Sequence, residues 1–145
     1  MQITETVPPE SMFSDYAYFS SFSDTMVNHA RQIAERLTDE KSLDESSQVI
    51  EIASNDGYLL QWYARLGIPV LGIEPARNIA EVAIEEKGIP TIAEFFGSSV
   101  ANTLADQGKQ ADVIHANNVL AHVPDLNGVV QGFQSLLKTW WTCRR

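Results

Sequence analysis

Two acidic side chains, each at the carboxyl end of an apolar run, are the groups in this sequence best placed for chemistry. Glu51 lies inside the run 48–53, and Glu74 directly follows the run 69–73. A carboxylate at the first position could face a cationic group, and one at the second could accept hydrogen bonds from both hydroxyls of a ribose. The pair predicts a site for a nucleoside-bearing ligand. Glu74 could equally be a solvated acid that starts a helix.

Between these acids, a short polar turn joins an apolar run to a helical pattern. The order of strand, tight loop 54–57 and helix is typical of the nucleotide-binding corner of a doubly wound sheet. The loop has one of the three fingerprint glycines, Gly57, which is expected to let the backbone approach a ligand. Ala53 and Asn55 occupy the other two positions, and Asn tolerates a left-handed conformation. An ordinary strand-to-helix turn is the alternative interpretation.

The elements that must position these residues alternate along the chain. We predict strands over 48–53, 69–73, 89–93 and 111–116, and helices over about 24–37, 56–66, 76–87, 98–107 and 126–137. Ser23 or Asp24 can cap the first helix, Asp125 can cap the last, and 38–48 reads as a polar linker. Repeated strand–helix units predict an α/β fold with a parallel sheet and flanking helices. We divide the chain into an N-terminal aromatic segment and helix (1–47), a Rossmann-like core (48–137) and an atypical tail (138–145).

Composition excludes several classes of protein. A chain of 145 residues with 44% hydrophobic residues is expected to form one domain, and no run is long enough to cross a membrane. The net charge of −9 argues against nucleic-acid binding. The single cysteine, Cys143, excludes an intrachain disulfide and a cysteine-based zinc site. With no secretion signal visible, we expect a cytoplasmic protein that acts on a small molecule and holds no metal.

Four candidate positions collect where ligands bind in such sheets, outside the carboxyl ends of the strands. They are the loop 54–57, Glu74, Glu94-Phe95 and Asn117-Asn118. Glu94 could accept from an adenine amino group while Phe95 covers the ring, or the two could be a loop acid beside a core aromatic. Asn117 and Asn118 lie where cofactor and substrate would meet, or they simply cap a turn.

Four ordered motifs resemble those of the bacterial deoxysugar C-methyltransferases, over about residues 10–137. They are the aromatic segment 13–23, the loop region 51–60, Gly72-Ile73-Glu74-Pro75 and the segment 117–125. The resemblance implies a class I methyltransferase core that uses S-adenosylmethionine, with its first four strands in the order three, two, one, four. It also implies Glu51, Ala53 and Gly57 near the methionine part, Glu74 on the ribose, and Glu94-Phe95 on the adenine. The implied substrate is a nucleotide-linked keto-deoxysugar.

Catalytic candidates follow from the chemistry that the resemblance implies, which is removal of a proton beside a ketone and transfer of methyl to the resulting carbon nucleophile. His122 has a suitable ordinary pKa, and Tyr16 and Tyr18 lie in the aromatic segment. His122 could instead be a helix-start residue bonded to backbone, and the tyrosines could be core. His115 is expected to be a packed core residue, and His29 gives no functional signal.

The end of the chain departs from the family pattern. The resemblance implies a zinc-binding module before this region and a sugar-binding part after it, and we expect this chain to be a truncated piece whose sheet is incomplete after the fourth strand. The edge 111–116 would then be unpaired and available for self-association. Two alternatives to an active enzyme stay open: a non-catalytic S-adenosylmethionine-binding module, and a nicotinamide-dinucleotide protein with the same corner and ribose acid.

Overall fold

A four-stranded parallel sheet forms the centre of the protein. The computed structural model describes residues 18–138, and its strands are β1 (Val49–Ile52), β2 (Val70–Ile73), β3 (Thr91–Ile92) and β4 (Val113–His115). The strands lie in the order β3-β2-β1-β4, and each neighbouring pair is parallel. The predicted α/β fold and strand order are therefore confirmed. Every residue of β1 is buried, as expected for an inner strand.

Five α-helices of the described residues connect or flank these strands. They are α1 (Asp24–Lys41), α2 (Leu60–Arg65), α3 (Arg77–Lys87), α4 (Ser98–Asp106) and α5 (Leu126–Leu136), with single 3-10 turns at Ser20–Phe22 and Leu120–His122. Ser23 caps α1 by accepting from the Met26 amide, and Asp125 caps α5 by accepting from Gly128. Both predicted caps are confirmed. None of the helices in residues 18–138 is long and apolar enough to cross a membrane.

Two helix boundaries differ from the sequence prediction. Helix α1 continues through four residues of the predicted linker, to Lys41, and ends where Ser42 adopts a left-handed conformation (φ 52°). There the amide of Leu43 donates to the Thr38 carbonyl and the Leu43 side chain is buried, so a hydrophobic contact closes the helix. Helix α2 begins at Leu60 rather than near 56, because the preceding residues form successive turns.

The two faces of the sheet carry separate hydrophobic clusters. Alternation along β1 directs Val49 toward α1 and α2, and Ile50 and Ile52 toward α4 and α5. Ala30 and Ala34 of α1 belong to the same cluster as Val49, so this helix packs directly on the sheet core. The first face is the one that also carries Glu51.

The edge of the sheet at β4 has backbone hydrogen bonds that the sequence did not predict. Strand β4 is the last strand of the described sheet, but the Ala111 amide donates to the Leu136 carbonyl and its own carbonyl accepts from the Lys138 amide. The Ala111–Leu137 bridge is parallel. The chain returns to this edge directly after α5 and pairs with Ala111. Of the predicted unpaired edge 111–116, the strand β4 itself therefore has no strand neighbour on its outer side in the described sheet.

Candidate cofactor-binding site

The loop after β1 has the backbone conformation of a glycine-rich loop, although it contains a single glycine. Ala53, Asn55 and Gly57 have φ values of 53°, 51° and 74°, so all three fingerprint positions are left-handed. This conformation is costly for Ala53, and the fold must impose it. A Cβ on Gly57 would lie 3.0 Å from Cγ1 of the core residue Ile89. Gly57 therefore permits close packing under the loop, and the approach of the backbone to a ligand that the sequence led us to expect stays a prediction.

Glu51 is a buried carboxylate with an unpartnered oxygen. It lies within β1, is 1% exposed, and its Oε2 has no hydrogen-bond partner. No cation of the described residues lies within ion-pair distance of it. Burial raises the pKa of Glu51 well above its ordinary value, the charges of Glu74 and Asp56 raise it further, and the Asn117 side chain partly opposes the rise. A buried acid in this state is complementary to a cationic ligand group.

Glu74 follows β2 directly and fastens the loop to the sheet. Its two oxygens accept from the amides of Asn55 and Ala76, both at 2.9 Å, and it is 6% exposed. Burial raises the pKa of Glu74, and these two backbone hydrogen bonds oppose the rise. A carboxylate oxygen can accept more than one hydrogen bond, so both oxygens retain capacity for ribose hydroxyls.

The side chain of Asn55 holds the N-terminal segment instead of facing a free space. Its Oδ1 accepts from the Ser20 amide at 2.7 Å, and its Nδ2 donates to the Tyr18 carbonyl at 3.0 Å. Asn55 is 8% exposed. Both ends of its amide are thus engaged, and the predicted contact of this residue with a cofactor would have to come from its backbone.

A second connection through the loop was missed by sequence reasoning. Asp56 is 1% exposed, accepts from the Ser21 hydroxyl, and pairs with Lys87 at the end of α3 at 3.0 Å. The loop is therefore fastened on one side to the N-terminal turn and on the other to α3. An acidic residue in the loop was visible in the sequence, but nothing there indicated that a lysine 31 positions later would reach it.

The remaining predicted site residues lie around the carboxyl ends of the strands. Glu94 and Phe95 follow β3 and are exposed, and Asn117 and Asn118 follow β4 and are exposed, with Asn118 left-handed at φ 55°. His122 ends an exposed 3-10 turn. Tyr18 is 50% exposed, and Tyr16 lies outside the described residues.

A pocket of about 150 Å³ opens between α1 and the end of β1. Four of its lining side chains come from α1 and the rest from the turn before α2 and from the end of β4: Met26, His29, Ala30, Ile33, Tyr58, Leu59 and Asn117. Burial and the charge of Glu51 raise the pKa of Tyr58 to about 12, which keeps its hydroxyl neutral. His29, which sequence reasoning set aside, lies on this wall together with three other residues of α1.

His115, which is partly buried, pairs with the buried Tyr63. The Tyr63 hydroxyl lies 2.9 Å from His115 Nε2, and the two rings are in contact. His115 stands beside Glu51 in the register of β4 and β1, on the same sheet face. Burial lowers the pKa of His115 to about 4, so the imidazole is neutral near pH 7. It is a packed, hydrogen-bonded residue, as the sequence led us to expect.

Two solved structures illustrate how widely this fold occurs. The magnesium protoporphyrin IX methyltransferase ChlM from Synechocystis PCC 6803, with bound S-adenosylmethionine, is 18% identical over 84% of this chain and 60% of its own, with a TM-score of 0.59. DesVI from Streptomyces venezuelae is 13% identical over 77% of this chain and 46% of its own, with a TM-score of 0.59. These likenesses support the fold.

Sequence comparison reaches closer relatives. The C-methyltransferase NovU from Streptomyces niveus is 29% identical over 94% of this chain and 32% of its own length. A ubiquinone biosynthesis O-methyltransferase from Bartonella quintana is 30% identical over 66% of this chain and 38% of its own length. The chain therefore spans about a third of the length of these curated relatives. The profile of a methyltransferase-domain family matches residues 26–141, most of the chain. This protein belongs to that methyltransferase family.

Proposed function

We propose that this chain binds S-adenosylmethionine, and that Glu51 receives the amino group of its methionine part. The observation that carries the proposal is the unpartnered Oε2 of Glu51, in a side chain that is 1% exposed at the carboxyl end of the central strand. An ammonium group there would stabilise the ionised acid and satisfy its free oxygen. The positive charge of NAD lies on a pyridinium ring, whose nitrogen has no N–H to donate to this oxygen.

Other loop residues fit the same ligand. The left-handed positions 53, 55 and 57 form a tight turn that can expose backbone groups to a ligand. Glu74 would accept from the ribose hydroxyls with the oxygens that already accept backbone amides. Glu94 and Phe95 would face the adenine, and Asn117 and Asn118 would lie near the methionine part. The bound cofactor would supply a methyl group on a sulfonium, which is an electrophile.

We further propose carbon methylation of a nucleotide-linked keto-deoxysugar. Support comes from the four motifs of the sequence and from the relative named as a C-methyltransferase, which is similar over 94% of this chain. His122, Tyr16 and Tyr18 remain the sequence-based candidates for handling the acceptor. Related O-methyltransferases share a shorter stretch, 66% of this chain for the one from Bartonella quintana, so an oxygen acceptor is the less favoured alternative. A reaction of two cytoplasmic metabolites would place the protein in the cytoplasm.

Calorimetry on the purified chain tests the cofactor assignment. We expect adenosylhomocysteine to bind and NAD not to bind under the same conditions. Binding of NAD in preference to adenosylhomocysteine would overturn the proposal. Methyl transfer from S-adenosylmethionine to a nucleotide-linked keto-deoxysugar then separates an enzyme from a module that only binds the cofactor.

Self-association is proposed through the outer edge of β4. In the described sheet, β4 is an edge strand that pairs with β1 on one side. On its other side the chain forms a single parallel bridge, at Ala111, before β4 begins. Free edge groups favour pairing with another chain. Sedimentation should therefore detect dimers or larger species whose fraction rises with concentration, and a monomer at all concentrations would contradict the proposal.

A further inference from the structure

The pocket between α1 and the end of β1 is a candidate site for the group that receives the methyl. It shares Asn117 with the surroundings of Glu51, and its other polar wall groups are the Tyr58 hydroxyl and the His29 imidazole. If the proposed function is right, the ribose end of the cofactor lies at β2 and its methionine part at β1. The pocket on the α1 side of β1 is then the adjoining space.

The lining of this pocket suits an uncharged ring better than the amino-acid tail of the cofactor. Most of the wall is apolar, from Met26, Ala30, Ile33 and Leu59. A methionine carboxylate would need hydrogen-bond donors or a permanent cation, and no Lys or Arg of residues 18–138 lines the wall. The face of a deoxysugar ring is apolar, and its ketone needs one or two polar partners, which matches this composition.

We propose that this pocket is the acceptor subsite, and that His29 is the residue that accepts a proton from the substrate there. Tyr58, the other titratable side chain on the wall, has its pKa raised to about 12 and cannot act as a base near pH 7. Glu51, whose charge acts on Tyr58, would be occupied by the cofactor amino group. His29 is exposed and therefore able to exchange its proton with water. A neutral imidazole carries one unprotonated ring nitrogen, which is the acceptor that this step needs.

The step is a proton transfer from carbon to nitrogen. The bond that breaks is the C–H bond next to the ketone of the sugar, and the proton goes to the unprotonated ring nitrogen of His29. The electron pair of that bond forms the enolate, whose charge rests mainly on the former ketone oxygen. The Asn117 amide and the neutral Tyr58 hydroxyl are donors on the same wall that could stabilise this oxygen. No oxidant, metal or further reactant is needed.

Solvent exchange measures this step without methyl transfer. The chain is incubated in deuterated water with adenosylhomocysteine and a nucleotide-linked 4-keto-6-deoxysugar, and deuterium at the carbon next to the ketone is followed by NMR. We expect His29→Gln to slow the exchange by a factor of about 100 or more, the usual contribution of a general base. Asn28→Ala, exposed on α1 and absent from the pocket wall, should exchange at the wild-type rate.

Calorimetry with adenosylhomocysteine separates this inference from the cofactor proposal on which it rests. Retained binding by His29→Gln, together with the lost exchange, supports the inference and shows that the variant is folded. Unchanged exchange in His29→Gln overturns the inference and leaves the cofactor proposal standing. Absence of exchange by the unchanged chain, while adenosylhomocysteine binds, also overturns it. Failure of the unchanged chain to bind adenosylhomocysteine overturns both proposals.

Discussion

Replacement of Glu51 by glutamine should stabilise the free protein and weaken cofactor binding at the same time. The side chain is 1% exposed and its Oε2 has no partner, so the ionised form is buried without compensation. Glutamine has nearly the same shape, so the substitution removes the charge without opening a cavity. Stability should rise while affinity falls, and a general loss of structure would lower both.

The sign of the stability effect follows from the direction of the pKa change. Burial raises the pKa of Glu51 in the folded state above its ordinary value of 4.5, so the folded chain holds this proton more tightly than the unfolded chain. The resulting stabilisation is fully present below about pH 4.5 and is lost as the pH rises through the folded-state pKa. Glu51→Gln removes this loss. At neutral pH the variant should gain roughly 1.4 kcal/mol for each pH unit between 4.5 and either the folded-state pKa or the assay pH, whichever is lower.

The binding effect follows from the loss of a charged acceptor. A hydrogen bond to a charged group contributes about 1.5–3 kcal/mol, so the affinity for adenosylhomocysteine should fall by a factor of about 10–150. Urea unfolding at pH 4 and pH 7.5 gives the stability, and calorimetry gives the affinity. Glu81→Gln, on the exposed side of α3, is the matched control and should change neither. A variant that is less stable than wild type at pH 7.5, or that binds adenosylhomocysteine equally well, would refute the reasoning.

Three further substitutions test how the loop is held and what it binds. Glu74→Ala should reduce the affinity for adenosylhomocysteine at least tenfold in calorimetry, because two ribose donors lose a charged acceptor. Gly57→Ala should lower the free energy of unfolding by about 2–3 kcal/mol in urea titrations, because φ is 74° and the added Cβ meets Ile89 at 3.0 Å. Lys87→Met should lower it by about 3 kcal/mol, since Asp56 is 1% exposed and would lose its cation.

Matched controls for these variants exist in the same chain. Gly88 also has a positive φ, 66°, but a Cβ there would meet nothing within 4 Å, so Gly88→Ala should show the backbone strain alone, about 1 kcal/mol. Lys41 is exposed at the end of α1, and Lys41→Met should change stability by less than about 0.5 kcal/mol. Equal losses in Gly57→Ala and Gly88→Ala would contradict the packing role of Gly57. A Lys87→Met protein as stable as Lys41→Met would contradict the buried pair.

Local patterns predicted most of the fold because the signals that set it are local. The apolar runs of β1 and β2, and the caps Ser23 and Asp125, act over a few residues and were read correctly. The end of α1 was misplaced because burial of Leu43, a tertiary contact, decides where that helix stops. Helix propensity depends on the residues of the segment alone, so it could not predict that tertiary contact.

The site was predicted less completely because its groups are connected over long distances in sequence. Sequence spacing placed Glu51 and Glu74 at the correct strand ends, and the loop at the correct corner. It could not indicate that the Asn55 side chain would bind the backbone at Ser20, 35 residues earlier, or that His29 would line a pocket. Such contacts depend on where α1 crosses the sheet.

The three buried acids around the loop show how structural and ligand-binding groups can be distinguished. Asp56 is paired with Lys87 and Ser21, and Glu74 accepts two backbone amides, so both acids have partners that fix the loop. Glu51 is as buried as Asp56, and each leaves one oxygen without a hydrogen-bond partner among the described residues, but Glu51 alone of the three acids has neither a cation nor a pair of backbone amides. A fold retains such a destabilising group when a ligand completes it, because removing the charge would otherwise increase stability. The buried acid without a cation, rather than the glycine-poor loop, is therefore the feature that points most directly to a cationic ligand.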